Sequence, residues 1–594
     1  MPDVIASRLQ AIRDEMHKQQ LDAYIIPRAD EYLGEYVPAH NERLAWISSF
    51  TGSAGAVIIL KDTAAIFTDG RYTVQVRQQV SGDLFTFESI TDTPQSTWLT
   101  SMLAKGTKVG IDARTQTLSW FEKTQATLAK SSIKLVNTDN LVDMHWHDRP
   151  VAPKAKAILF DKQFSGLTSI EKRRQIGKII QEQGADMALI TALDSCAWLL
   201  NIRGRDVPCL PVVLGSALLS SDGFMRFFTD LEKLPEGINE HVGLGVSFHN
   251  ESDLSAILAN LENTHLLADP DNSNAAFQLN AIKGGAKLIA GLDPVAMVKA
   301  QKNPIELAGM EACHIRDGVS LSRFLAWLDH EVSQGRLHNE GELADTLESF
   351  RVNNEHFVEL SFDTISAAGS NAAMCHYNHN NGEPAKLTMN SMYLVDSGAQ
   401  YFDGTTDVTR TVAIGEPSAE QKKMVTLVLK GHIAIDTMKF PKGTTGSQLD
   451  AFARYPLWQQ GFDFDHGTGH GVGHFLSVHE GPQRISKAPS TVALMPGMVV
   501  SNEPGYYKTD GYGIRLENLI AVKNCDDLAN AEREMYQFEA LTLVPFDLRL
   551  IEKSLLTSAE IDWINHYHKQ IFEALSSHME GNDLIWLTQA TKAI

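Results

Sequence analysis

Cysteine is scarce and unpatterned: five residues in a chain of 594 (Cys196, Cys209, Cys313, Cys375 and Cys525), widely spaced and without a C-x-x-C pair. That excludes a small disulfide-stapled module and predicts reduced thiols in a reducing compartment. Long apolar runs are also missing, so no membrane-spanning segment is expected, while a 43% hydrophobic content excludes wholesale disorder. Positive charge falls short of negative, 52 Lys and Arg against 73 Asp and Glu for a net −21, and no concentrated basic face stands out, so a nucleic-acid partner is not expected. The N-terminus lacks a basic stretch followed by an apolar core. It offers Val4, Ile5, Leu9, Ile12 and Met16, a helical stripe interrupted by charges, which predicts no signal peptide and a cytoplasmic protein.

What is present is length enough for roughly three to four domains of ordinary size. The first two hundred residues contain a faint duplication. An amphipathic helix leads to an apolar strand at Asp22–Ile26 and again at Asp186–Ile190, Trp46 and Trp198 follow in apolar stretches, and Phe67-Thr-Asp69 is echoed by Phe228-Thr-Asp230. Prolines in Asp148-Arg-Pro-Val-Ala-Pro153 mark a first boundary and Lys302-Asn-Pro304 a second. The expected organisation is therefore two related α/β domains, 1–150 and 151–302, and an α+β domain over 303–594. In the last, Ile305 to Glu331 reads as one long helix, short strands and turns follow from Phe362, and the tail from Ser558 reads as a terminal helix.

Four acids in the third region stand out. Asp396 ends an apolar strand, Asp407 lies in a Thr-rich strand where Asp has poor propensity, Glu503 follows the apolar run Gly497–Val500, and Glu517 sits in the strand-like Ile514–Val522 with Arg515 as a competing local partner. Asp403-Gly404 is instead a hairpin-turn signal. Between these acids lies His466-Gly-Thr-Gly-His-Gly-Val-Gly-His-Phe-Leu-Ser-Val-His-Glu480, where imidazoles alternate with glycines. Packing does not ask for such a run; glycine admits close backbone approach and imidazole ligates metals or moves protons near neutrality. No Lys follows the glycines and Val472 occupies the last Gly position of a dinucleotide fingerprint, so phosphate binding is not expected. Four carboxylates and one neutral imidazole sum to −4, the charge that balances two divalent cations, and an oxygen-rich set without Cys suits Mn²⁺, with Co²⁺ or Zn²⁺ as alternatives. Cys375 and His376, neighbours on an extended segment, point to opposite faces and make a poor thiol–base pair.

The ordered set Asp396, Asp407, His470, Glu503 and Glu517, with the strings Asp-Gly-Thr-Thr-Asp-Val-Thr-Arg, His-Gly-Thr-Gly-His-Gly-Val-Gly and Asn-Glu-Pro-Gly-Tyr-Tyr, resembles aminopeptidase P, the Xaa-Pro aminopeptidases of the pita-bread metallopeptidase fold. The duplicated N-terminal region, the Thr68-Asp-Gly-Arg-Tyr72 string and the Trp-containing C-terminal helix are similar to its long three-domain cytosolic form. The resemblance implies that Asp396 binds one metal, His470 and Glu503 the other, and Asp407 and Glu517 bridge them. It implies further that His376 and His479 line the substrate site, that His466 belongs to the same pocket, and that Arg71 reaches the peptide. His474 and His379 take no role and are expected to be exposed polar residues. The implied reaction is attack by a hydroxide bridging two metals on the bond before a proline in second position, with Glu503 relaying the proton to the leaving nitrogen. A homodimer is implied as well. The rival readings are a prolidase-like dipeptidase, against which length argues, a creatinase-like enzyme, and a non-catalytic peptide-binding module; the last two typically lack the ligands found here.

Overall fold

The computed structural model describes residues 2–594, folded into two compact units. One comprises the chain up to Lys162 together with Leu167–Ala296; the other comprises Gln163–Gly166 and Met297–Ile594.

The first unit holds two six-stranded sheets of the same strand order. In the first, Ala23–Pro27 pairs antiparallel with Ala56–Leu60 and parallel with Lys108–Ile111; in the second, Met187–Ile190 pairs antiparallel with Ser216–Ser220 and parallel with His265–Ala268. The duplication extends to detail. Trp46 and Trp198 lie in helices (Arg43–Ser48, Leu193–Leu200) that each end on a left-handed residue, Ser49 and Asn201. Asp69 and Asp230 each cap a short 3-10 turn by accepting a backbone N–H two residues on, from Arg71 and Glu232. The Asp69-Gly70 step therefore opens a turn and helix that lead into a parallel strand. The N-terminal helix Pro2–Lys18 buries Ile5, Leu9, Ile12 and Met16, each contributing about 1.5–3 kcal/mol, while Val4, counted in the same stripe, is exposed because it falls at the edge of the buried face.

The second unit is built on the helix Pro304–Ser333. Its start is set by a capping box between Asn303 and Glu306 with Pro304 at the first helical position, and the chain turns after it at Gly335, whose φ of 72° suits glycine. Three sheets carry the site: Ile365–Ala368, Ser391–Ser397 and Val408–Ile414; the six-stranded sheet containing Gly469–Gly471, Val499–Asn502 and Asn518–Asn524; and the hairpin of Gly505–Lys508 with Tyr512–Arg515. Helices Ala419–Asp436 and Gly446–Trp458 pack beside them. The tail is more than one helix: Ser558–Leu575 is followed by a short 3-10 turn and a second helix, Gly581–Ala590. Among the described residues no helix is long and apolar enough to cross a membrane.

Candidate active site

Asp396 is the penultimate residue of the central strand Ser391–Ser397 and lies directly opposite Thr409, so both side chains project from the same face. Asp407 stands just before the strand Val408–Ile414, outside the Thr-rich strand itself. His470 is the middle residue of the short strand Gly469–Gly471, and a Cβ at Gly469 would collide with the Ser501 carbonyl, which accounts for glycine there. Glu503 is one residue past Val499–Asn502. Glu517 occupies the break between Tyr512–Arg515 and Asn518–Asn524, so the continuous strand expected over 514–522 is interrupted at the acid.

Backbone and hydroxyl contacts knit these positions together. Thr468 O accepts the Glu503 amide at 2.8 Å, and Thr409 O accepts that of Glu517 at 3.1 Å. Thr409 Oγ1 donates to Glu517 Oε2 at 2.7 Å, and Ser501 Oγ donates to Glu503 Oε1 at 3.2 Å while accepting the His470 amide at 2.9 Å. Arg515 does not pair with Glu517. Its Nη2 donates to Asp396 Oδ2 at 2.5 Å, because the hairpin turns the guanidinium toward the end of the central strand.

The histidine tautomers follow from their partners. His470 Nδ1 is 2.9 Å from the Gly471 carbonyl, which can only accept, so Nδ1 carries a hydrogen and Nε2 is the nitrogen left to face the site. Nε2 faces two carboxylates, 3.4 Å from Asp407 Oδ2 and 3.6 Å from Glu503 Oε1. By the same reasoning His466 donates from Nδ1 to Gly467 O at 2.7 Å and accepts at Nε2 from the Tyr507 hydroxyl at 2.8 Å, whose oxygen in turn accepts from Arg515 Nη1 at 2.7 Å.

This donor set fits metal. Among the described residues, Asp407, His470 and Glu517 form the one group whose ligand atoms all lie within 4.8 Å of one another. Asp396 Oδ1 is buried and has no hydrogen-bond partner. Burial first, opposed by Arg515 and reinforced by Asp407, raises the Asp396 carboxyl; burial and the charges of Asp407, Asp396 and Glu503 push Glu517 well above the carboxylate range. Burial carries Glu503 up to about 7, and although burial pulls His470 down, the Asp407 hydrogen bond and the Glu503 charge outweigh it and bring it to about 9. Like charges held this close in a buried site call for a countercharge.

The structure brings His479 to the same place, its ring 4.4 Å from that of His470 and nearly perpendicular to it. His376 lies on the segment following Ile365–Ala368, where the neighbouring Cys375 carbonyl accepts from Arg515 Nη1 at 3.3 Å. Arg71 belongs to the first unit, its Nη2 2.8 Å from Asp69 Oδ2 and its Nε within 3.2 Å of both carboxylate oxygens. His474 and His379 are not exposed: they are 3% and 7% accessible. His474 is enclosed by the turn in which Gly473 N donates to Ser477 O, and His379 sits in a 3-10 turn capped by Asn378.

Sequence reasoning missed several supporting groups. Tyr507 was legible only as part of the Asn-Glu-Pro-Gly-Tyr-Tyr string. Arg454, on helix Gly446–Trp458, gave no signal at all, yet it is wholly buried and uses five hydrogen bonds to clamp the histidine loop: Nε and Nη2 to Asp450, Nη1 to Asp463 Oδ1 and Phe464 O, and Nη2 to His466 O. Asp450 Oδ1 also accepts from Thr468 Oγ1 at 2.7 Å.

Comparison with known proteins agrees with this geometry. Residues 308–524 match metallopeptidase family M24 and 534–594 its C-terminal region, while 8–145 and 148–306 each match a creatinase/prolidase N-terminal domain. Fold and site thus define a pita-bread metallopeptidase preceded by two related α/β domains. The chain is 39% identical to a probable Xaa-Pro aminopeptidase P of Ajellomyces capsulatus and 36% identical to aminopeptidase P1 of Arabidopsis thaliana, covering 99% of this chain and of each relative. The crystal structure of X-prolyl aminopeptidase from Caenorhabditis elegans, described as a cytosolic enzyme with a di-nuclear active site, superposes with a TM-score of 0.95 at 34% identity over 99% of this chain and 100% of that one. The chain belongs to the Xaa-Pro aminopeptidase P family. A Xaa-Pro dipeptidase from Bacillus anthracis shares the fold at 24% identity and a TM-score of 0.50, covering 64% of this chain and 99% of its own.

Proposed function

We propose that the protein is a metal-dependent aminopeptidase that releases the N-terminal residue from peptides with proline in second position. The observation that carries this reading is His470 Nε2 held within 3.4 and 3.6 Å of the Asp407 and Glu503 carboxylates, in a chain aligned end to end with Xaa-Pro aminopeptidases P. The prolidase-like alternative is disfavoured by the third of the chain that the dipeptidase lacks, and a non-catalytic peptide-binding module by ligand-type residues at all five expected positions, three of which lie within 4.8 Å of one another.

Asp396 would hold one ion, His470 and Glu503 the other, and Asp407 and Glu517 would lie between them. We assign Mn²⁺, since four carboxylates and one imidazole without thiolate suit it, with Zn²⁺ or Co²⁺ as alternatives. When bound, such a pair brings the pKa of water toward neutrality and polarises the scissile carbonyl.

The protein's own groups do the rest. Arg515 holds Asp396 by one oxygen and leaves the other buried without a hydrogen-bond partner. Glu503, oriented by Ser501 and by the Thr468 carbonyl, takes a proton on its carboxylate and delivers it to the leaving nitrogen. That help matters for proline, whose imino nitrogen carries no hydrogen in the peptide. One of His376 and His479 donates to the developing oxyanion, and Asp407 attracts the substrate's free α-amine. His466, fixed by Gly467 O and Tyr507, forms part of the pocket wall, and Arg71 is assigned to the peptide beyond the scissile bond.

Five free cysteines support a reducing, cytoplasmic setting. We further propose a homodimer: Phe452, Tyr455 and Trp458, spaced by three residues on one helix, are 52%, 59% and 43% exposed, a stripe of aromatic surface suited to a second copy. Phe452→Ser combined with Tyr455→Asp should yield monomers by analytical ultracentrifugation. The activity itself is tested by stripping metal and adding back Mn²⁺, Zn²⁺ or Co²⁺ against a panel of Xaa-Pro and Xaa-Ala peptides; turnover confined to Xaa-Ala substrates would overturn the specificity.

A further inference from the structure

Glu340 is the first residue of helix Glu340–Arg351 and is entirely buried. A carboxylate in that position is costly unless its lone pairs are taken. Four donors take them. On Oε1 they are Ala368 N at 2.8 Å and Asn371 Nδ2 at 2.9 Å; on Oε2 they are the Tyr377 hydroxyl and Ala385 N, both at 2.7 Å. Asn371 Nδ2 also reaches the Tyr377 hydroxyl at 3.0 Å, and Ser366 Oγ donates to the Glu340 carbonyl at 2.7 Å.

All four donors come from 368–385, the segment that carries His376 and none of the five ligand residues. Its opposite side is pinned by Arg515, which donates to the Cys375 carbonyl, and by the hairpin strand Tyr512–Arg515, which packs so closely that a Cβ at Gly513 would collide with the Ala372 carbonyl. His376 is thus suspended between one anchor tied to Asp396 and a second, Glu340, with no link to the metal ligands.

We infer that Glu340 is a positioning residue that fixes the His376-bearing segment and thereby controls oxyanion and substrate contacts without affecting metal binding. The inference rests on the aminopeptidase reading. A carboxylate suits the task because only an acceptor on both oxygens can serve four donors; an amide in its place turns N–H groups toward two of them.

The test uses the full-length, metal-loaded enzyme. Glu340→Gln should lower kcat/KM on a Xaa-Pro tripeptide by about 10- to 100-fold, the scale of a misplaced catalytic group, with metal stoichiometry equal to wild type. Tyr377→Phe, a milder change that keeps the carboxylate, should shift kcat/KM the same way by less. In a His376→Ala background, Glu340→Gln should change the rate by less than about twofold, because the group it positions is gone. Hydrogen exchange should rise over 368–377 and stay unchanged over 466–470 in Glu340→Gln, a readout independent of turnover. Equal losses in the wild-type and His376→Ala backgrounds, loss of metal, or unchanged exchange over 368–377 would overturn the proposal. Wild-type protein inactive on every Xaa-Pro peptide would instead defeat the aminopeptidase reading, with the exchange measurement still deciding the role of Glu340.

Discussion

His470 turns its Nε2 to within 3.4 Å of Asp407 Oδ2 while its Nδ1–H is committed to the Gly471 carbonyl. The backbone therefore reserves Nε2 for the site, so that loss of its proton leaves the tautomer a metal ligand requires, a role that outer-shell partners commonly play. Without an ion the ring stays protonated up to about pH 9 and Nε2–H faces Asp407; a metal ion takes the place of that proton.

Asp407→Asn removes one charge from this contact and should lower metal occupancy as measured by elemental analysis, with activity falling in parallel. Chelation of the wild-type enzyme should abolish activity and lower Tm, since an ion that binds only the folded form stabilises it by about 4 kcal/mol at a thousand times its Kd. Wild-type occupancy in Asp407→Asn, or full turnover after rigorous chelation, would refute the ligand assignment.

Glu503 and His470 set the pH response of the metal-free protein. The folded-state value of Glu503 rises from 4.5 to about 7 and that of His470 from 6.5 to about 9. Both groups thus bind more protons folded than unfolded, so their stabilisation is complete at acid pH and is lost as pH rises through about 7 and then about 9. Metal binding requires the deprotonated forms and has the opposite slope. The Tm difference between metal-loaded and metal-free protein should therefore widen steadily from pH 5 to pH 9; a constant difference would contradict the assignment.

How far the site was legible from sequence depended on whether its signal was local. The alternating His and Gly residues around His470 and the acids at strand ends were readable because close backbone approach and a poor strand former leave marks in the chain itself. The competing pair of Arg515 with Glu517 does not form: the strand breaks between them and the hairpin carries the guanidinium to Asp396, a contact 119 residues apart in sequence that spacing could not show. His474 and His379 were expected at the surface because polarity was the only guide, whereas local turns enclose them. Arg454 and its partners in 463–466 are only 9 to 12 residues apart, yet the way that loop folds back over the helix leaves no mark in the sequence.

Arg454 offers a stability test of that loop. Its guanidinium is buried against Asp450 and lies 3.8 Å over the Phe464 ring, with Thr468 held on the same carboxylate. Arg454→Met strands a buried carboxylate and should cost about 3–5 kcal/mol in chemical denaturation. Thr468→Val removes a single bond to the charged group and should cost about 1.5–3 kcal/mol. Equal stability of both variants and wild type would show that the clamp is not what holds the histidine loop.

Arg71 carries the last prediction, which concerns peptide length. Asp69 caps the turn Gly70–Tyr72 through the Arg71 amide and also takes the Arg71 guanidinium, and the Arg71 Cζ lies 5.3 Å from the Tyr72 ring centre. A fork held this way is oriented in advance, and an oriented guanidinium is well suited to a peptide carbonyl or terminal carboxylate. On the proposal that Arg71 meets the part of the substrate beyond the scissile bond, Arg71→Ala should raise KM for tripeptides and longer substrates severalfold, leaving kcat, metal content and the Xaa-Pro dipeptide KM near wild type. Asp69→Asn, which weakens the orientation and keeps the guanidinium, should move KM in the same direction by less. Identical KM values across peptide lengths in both variants would limit Arg71 to supporting its own turn. Loss of Tm without a length-dependent KM would lead to the same conclusion.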